Sequence, residues 1–164
     1  MKPAPSLVVA LLATLALSAC DKPKPEPVAQ KSEAAPEAKP GIALSEGRLV
    51  LPAVAGNPGA AYFQINNSAG ASTVLGAISI NGAGKTEVHQ TVGDAMNKVD
   101  QVEIAPSTSI TFEPGKLHVM VFDIGSTLKA GGTTEMTVTF ADGDKVSVPL
   151  KIEAAGGSME GMAH

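Results

Sequence analysis

The chain has 164 residues, a formal net charge of −4, four phenylalanines, one tyrosine, no tryptophan and a single cysteine, Cys20. A mildly acidic balance without a basic cluster argues against a nucleic-acid partner. One thiol excludes an internal disulfide and a dithiol redox motif, and because Cys20 lies ahead of residues 42–153, that stretch has no thiolate for a blue-copper centre.

Residues 1–19, MKPAPSLVVALLATLALSA, place Lys2 before an apolar run over 7–17 and then small residues. That is the layout of a secretory signal peptide, and the apolar run is too short for a membrane span. Leu17-Ser18-Ala19-Cys20 resembles the lipobox of bacterial lipoproteins, which implies that Cys20 is lipidated and begins the mature chain. The alternative is an ordinary signal peptide with an incidental cysteine. Asp21 resembles the inner-membrane retention signal of enteric bacteria. Residues 20–41, rich in Pro, Ala, Lys and Glu with no hydrophobic period, read as a disordered tether that holds a lipid-anchored domain away from the bilayer.

Residues 42–153 read as one domain. Short β-type runs recur in it: RLVLPAV, AAYFQINN, STVLGAISI, KTEVHQ, NKVDQVEI, TSITF, LHVMVFD, TEMTVTF and KVSVPLKI. Gly, Asn, Asp and Pro punctuate them, as at Asn66-Asn67, Asn81-Gly82, Pro114-Gly115 and Asp142-Gly143, and no stretch has a helical period. Regularly spaced short strands predict an antiparallel sandwich or barrel. Tyr62, Ile65, Leu75, Ile78, Ile104, Ile110, Phe112, Val138 and Phe140 are the expected core, joined by Met136 from its alternation with Val138 and Phe140. The tail, residues 154–164, reads as flexible and carries Met159, Met162 and His164, a possible auxiliary metal set.

The chemistry concentrates in KTEVHQTVGDAMNKVDQVEIAPSTSITFEPGKLHVMVFD, which pairs His89 with Met96 and His118 with Met120. Thioether sulfur beside imidazole nitrogen suits Cu(I) rather than hard, oxygen-seeking cations. On a strand, His118 and Met120 project from one face about 7 Å apart. Gly93 and Asp94 can turn the chain so that Met96 returns toward His89. A thiol-free set also makes sense in an oxidising compartment, where paired thiols would form a disulfide. The bland alternative is a core methionine with surface or satisfied histidines.

These residues carry a resemblance. Over about 49–152 the chain resembles the PCu(A)C family of bacterial periplasmic copper chaperones, whose pattern is a histidine, a methionine, about twenty-one residues, then His-x-Met. Here residues 97–117, twenty-one in all, separate Met96 from His118, and Pro114-Gly115-Lys116-Leu117-His118-Val119-Met120 is similar to the family's Pro-Gly-x-x-His-x-Met. AAYFQINNS resembles its early strand and LKAGGTTEMTVTFADGDKVSVPLKI its final hairpin. The segment between His89 and Met96 is shorter than in many members and lacks their extra methionine after the histidine. The resemblance implies an all-β, cupredoxin-like antiparallel β-sandwich of Greek-key type and a copper site of His89, Met96, His118 and Met120. It also implies a non-enzymatic periplasmic carrier of Cu(I), with a Sco-like partner and a cytochrome oxidase copper-bearing subunit as recipient. The competing reading is a metal-free lipoprotein interaction module built on the same sandwich.

Overall fold

The computed structural model describes residues 39–156. The leader, Cys20, Asp21, most of the tether, and Met159, Met162 and His164 lie outside the described residues. Ten strands form: β1 (Ile42–Val50), β2 (Gly59–Asn67), β3 (Thr73–Ile80), β4 (Ala83–Val92), β5 (Ala95–Lys98), β6 (Val102–Ile104), β7 (Thr108–Phe112), β8 (Leu117–Ile124), β9 (Thr133–Phe140) and β10 (Lys145–Glu153). All-β architecture is what the spacing of the runs predicts. Two runs behave differently. NKVDQVEI divides into β5 and β6, which join separate neighbours, and RLVLPAV contributes only its first half to a strand that begins earlier, at Ile42.

Hydrogen bonding follows the order β5-β4-β8-β2-β1-β10-β9-β3-β6, with β7 added on β2. Nearly every pair is antiparallel; β1 and β10 run parallel, Arg48 opposite Lys151 and Val50 opposite Glu153, so the sheet is mixed. The parallel pair is not readable locally because its two strands lie at opposite ends of the domain sequence. β2 switches partners along its length, pairing β8 through Gly59, Ala60 and Ala61 and β7 from Phe63 onward.

One face of most strands fills the core, whereas β5 is exposed along its whole length. Leu49, Phe63, Ile65, Leu75, Ile104, Phe112, Val119, Val121, Met136, Val138, Phe140 and Leu150 are all essentially removed from water. Alternation breaks at two bulges, between Ser45 and Arg48 in β1 and between Leu75 and Ala77 in β3, where an extra residue flips the inward parity. At the first, Glu46 has φ 56°, and a Cβ on Gly47 would stand 2.7 Å from the Pro149 carbonyl oxygen. Tyr62 corrects the expected core list. In β2 the inward positions are Ala61, Phe63 and Ile65, so the adjacent Tyr62 turns outward, and the Arg48 guanidinium lies 4.9 Å from its ring centroid. Asn67 is another surprise. Its sequence context marks a turn, yet it is fully buried, donating to the carbonyls of Ala71, Ile104 and Ala105 and accepting from the Ala69 N–H.

Lys39, at the end of the stretch read as a tether, is tied to the β9–β10 turn through Asp142 and, at 2.9 Å, Asp144. The Lys39 ammonium holds the Asp142 carboxyl below its ordinary value. A carboxylate depressed in the folded state adds stability that is present above the unfolded carboxyl range and is lost as pH falls through its folded value. The difference in urea midpoint between wild type and Lys39→Ala should therefore be small at neutral pH and close on acidification below about pH 4. A difference that persists at about pH 2 would assign the effect to Lys39 over the Phe140 ring, 5.4 Å away.

Candidate metal centre

Two turns set the site. Pro114-Gly115 links β7 to β8, with φ 75° at Gly115 and the Lys116 N–H donating to the Glu113 carbonyl, as in a type II turn that needs glycine at its third position. Gly93-Asp94 closes β4 on β5 in two residues, Gly93 at φ 60° and Val92 opposite Ala95. Glycine at the first central position gives the II′ turn whose twist matches a hairpin.

The register then decides which side chains meet. In β8, Val119 and Val121 point into the core, so His118 and Met120 take the outer face. β4 pairs β8 with His89 directly opposite His118 and Glu87 opposite Met120. β5 pairs β4 with Lys98 opposite His89 and Met96 opposite Thr91. Glu87, His89, Met96, His118 and Met120 thus share one face of a three-stranded ribbon. The imidazole centroids are 6.1 Å apart. Met96 is the diagonal neighbour of His89, a relation that spans roughly 7–8 Å in antiparallel sheets.

Burial is graded across the face. His118 is 5% exposed, Met120 is half-buried, and Met96, on the edge strand, is 54% exposed. The His118 Nδ1 lies 2.8 Å from the Lys116 carbonyl oxygen, which also accepts the Thr91 N–H and so fixes the ring to the end of the β4–β8 ladder. His89 Nε2 lies 3.2 Å from Glu87 Oε2, whereas its Nδ1 is buried with no hydrogen-bond partner. A buried polar atom left unpaired is costly, and a bound ion at that atom would satisfy it. Among the described residues no three His, Cys, Asp or Glu side chains gather to hold a metal. The same face also carries the thioethers of Met96 and Met120, which are soft donors.

The sequence reading missed Glu87. Its Glu-x-His spacing was visible in TEVHQ, because residues two apart on a strand share a face. Lys85 lies 2.8 Å from Glu87, and its ammonium, followed by the His89 hydrogen bond, holds the Glu87 carboxyl below its usual range.

The LpqE-like family model matches residues 42–152. A Rickettsia prowazekii (strain Madrid E) protein, RP573, is 33% identical over 98 residues, which are 57% of this chain; the chain spans only about half, 54%, of that relative's length. Among solved structures, the copper-bound PCuAC domain from PmoF2 aligns with TM-score 0.62 and 23% identity over 71% of this chain and 96% of that one. The apo PCuAC domain from PmoF1 gives 0.61 and 24% over 72% and 98%. The solution structure of the Cu(I) form of DR1885 from Deinococcus radiodurans gives 0.58 and 20% over 80% and 85%. At these identities the likeness is one of fold, a cupredoxin-like β architecture. With the family match spanning all but the last residue of the ten strands, the chain belongs to the LpqE-like family, and it is built on the fold of PCuAC domains.

Proposed function

We propose that this protein is an extracytoplasmic Cu(I) carrier, with His89, His118, Met120 and Met96 as its ligands. The observation that carries the reading is the placement of His89 directly opposite His118, with one thioether on the same face to either side. Neutral imidazoles and thioethers match monovalent copper, and the PmoF2 and DR1885 domains that share the fold are copper-bound and Cu(I) structures. The gradient of burial suits a carrier. The inner imidazole keeps the ion from stray ligands, and the exposed Met96 sulfur is the donor an incoming ligand from a recipient can replace first. No turnover is needed for that role.

The finer parts of the proposal rest on the sequence. The lipobox at Cys20 and membership of a family described for lipoproteins support a periplasmic domain on a lipid anchor, and Asp21 favours the inner membrane. The resemblance to copper chaperones supports delivery toward a cytochrome oxidase copper-bearing subunit, with a Sco-like protein as partner. Met159, Met162 and His164 would supply an auxiliary capture set.

X-ray absorption of the Cu(I)-loaded chain tests the ligand set. Two nitrogen and two sulfur neighbours are expected, with one sulfur lost in Met96→Ala. A shell of nitrogen and oxygen alone would remove the proposal.

A further inference from the structure

We infer that Glu87 is a positioning residue: its carboxylate fixes the His89 ring in the Nε2–H tautomer, so that His89 meets Cu(I) through Nδ1 while His118 meets it through Nε2. The metal half of this inference rests on the proposed copper site. The tautomer half stands on the hydrogen bonds alone.

An ionised carboxylate can only accept, and so can a backbone carbonyl. Glu87 is ion-paired with the Lys85 ammonium, 2.8 Å away, and a carboxylate is ionised in mildly alkaline solution. The proton between His89 Nε2 and Glu87 Oε2, 3.2 Å apart, therefore belongs to the imidazole. A neutral ring carries one N–H, which leaves the lone pair on Nδ1, the atom that is buried and without a partner. His118 is arranged the other way round. Its Nδ1 faces the Lys116 carbonyl at 2.8 Å and must donate there, which leaves the lone pair on Nε2. The two rings stand opposite each other across β4 and β8, each with one nitrogen engaged by a different kind of acceptor.

The two acceptors do different things. The Lys116 carbonyl is part of the ladder and belongs to the fold. Glu87 is a side chain on the outer face, opposite Met120. An acceptor on the far nitrogen of a ligating imidazole fixes its orientation and raises its basicity. A carboxylate also places a negative charge beside a site whose proposed ligands are all neutral, which favours a monovalent cation.

The test uses the full chain labelled with 15N. Long-range proton–nitrogen correlation on the metal-free protein at mildly alkaline pH reads each ring's tautomer, with signals assigned from His89→Gln and His118→Gln. The expected result is His89 protonated on Nε2 and His118 on Nδ1. On adding Cu(I), the His89 Nδ1 and His118 Nε2 resonances should shift most. Glu87→Ala should erase the His89 tautomer preference and weaken Cu(I) binding, measured by chelator competition, by about 10–100-fold. Glu87→Gln should recover only part of either, because its amide can accept that N–H or donate to the ring and carries no charge. A merely structural glutamate would change the unfolding midpoint without moving the tautomer. His89 protonated on Nδ1 in the wild type, or an unchanged affinity in Glu87→Ala, overturns the inference. A wild-type chain with the expected tautomers and no Cu(I) uptake overturns the copper reading, a failure distinguishable because the tautomers are read without metal.

Discussion

Replacing His118 and Met120 together by alanine is expected to abolish tight Cu(I) binding while the sheet stays folded. Both side chains sit on the outer face of β8, and the inward Val119 and Val121 that hold this strand to the core are untouched. His118 is 5% exposed and bonded to the Lys116 carbonyl. Its loss removes one of two hydrogen bonds on that carbonyl, which keeps the Thr91 N–H, and costs about 0.5–1.5 kcal/mol, within the roughly 5–15 kcal/mol of an ordinary domain. Two of the four proposed donors disappear, so the affinity loss should exceed the roughly 10–100-fold that follows from disturbing an outer-shell partner. Chelator competition measures the affinity, and circular dichroism checks the fold. Unchanged tight affinity in the double variant would remove His118 and Met120 from the ligand set, and a wild-type chain without tight Cu(I) binding would point instead to a metal-free interaction module.

The largest effect on stability is expected at Phe63→Ala. Phe63 and Phe112 stack with centroids 4.2 Å apart and planes 15° from parallel, and each is 1% exposed. The pair clamps β2 against β7 just beyond the point where β2 leaves β8. Deleting a buried phenylalanine removes its transfer energy and leaves a cavity, about 3–5 kcal/mol in all. The urea midpoint should fall accordingly, while the Cu(I) affinity of the remaining folded protein stays near wild type, because neither ring belongs to the β4–β8 face. A loss under about 1 kcal/mol would mean that the core closes around the gap.

These two sites show how differently fold and function are written in the chain. Phe112 and Met136 could be assigned inward from alternation alone, since β7 and β9 keep a simple period of two. Tyr62 could not. It and Phe63 are adjacent aromatics, and only the pairing of Ala61 with Leu49 and Val119 tells which of them faces in. The bulges near Glu46 and Gly76 hide the period in β1 and β3 for the same reason. In the candidate site, the His118-x-Met120 spacing declared a shared face, and Gly93-Asp94 declared the hairpin that returns Met96. Glu87 went unnoticed, because a glutamate on a strand is ordinarily a solvated residue.

From the residues alone came the all-β class, the soft donors, the hairpin at Gly93 and the exclusion of thiol chemistry, all of which depend on local backbone preference or residue identity. The tertiary structure decided the rest: that β4 lies beside β8, that His89 is opposite His118, and that the first and last strands of the domain run parallel. Strand partners distant in sequence are chosen by which apolar faces can be buried together, and a shift of one residue in that register would have sent His89 to the other face of the sheet.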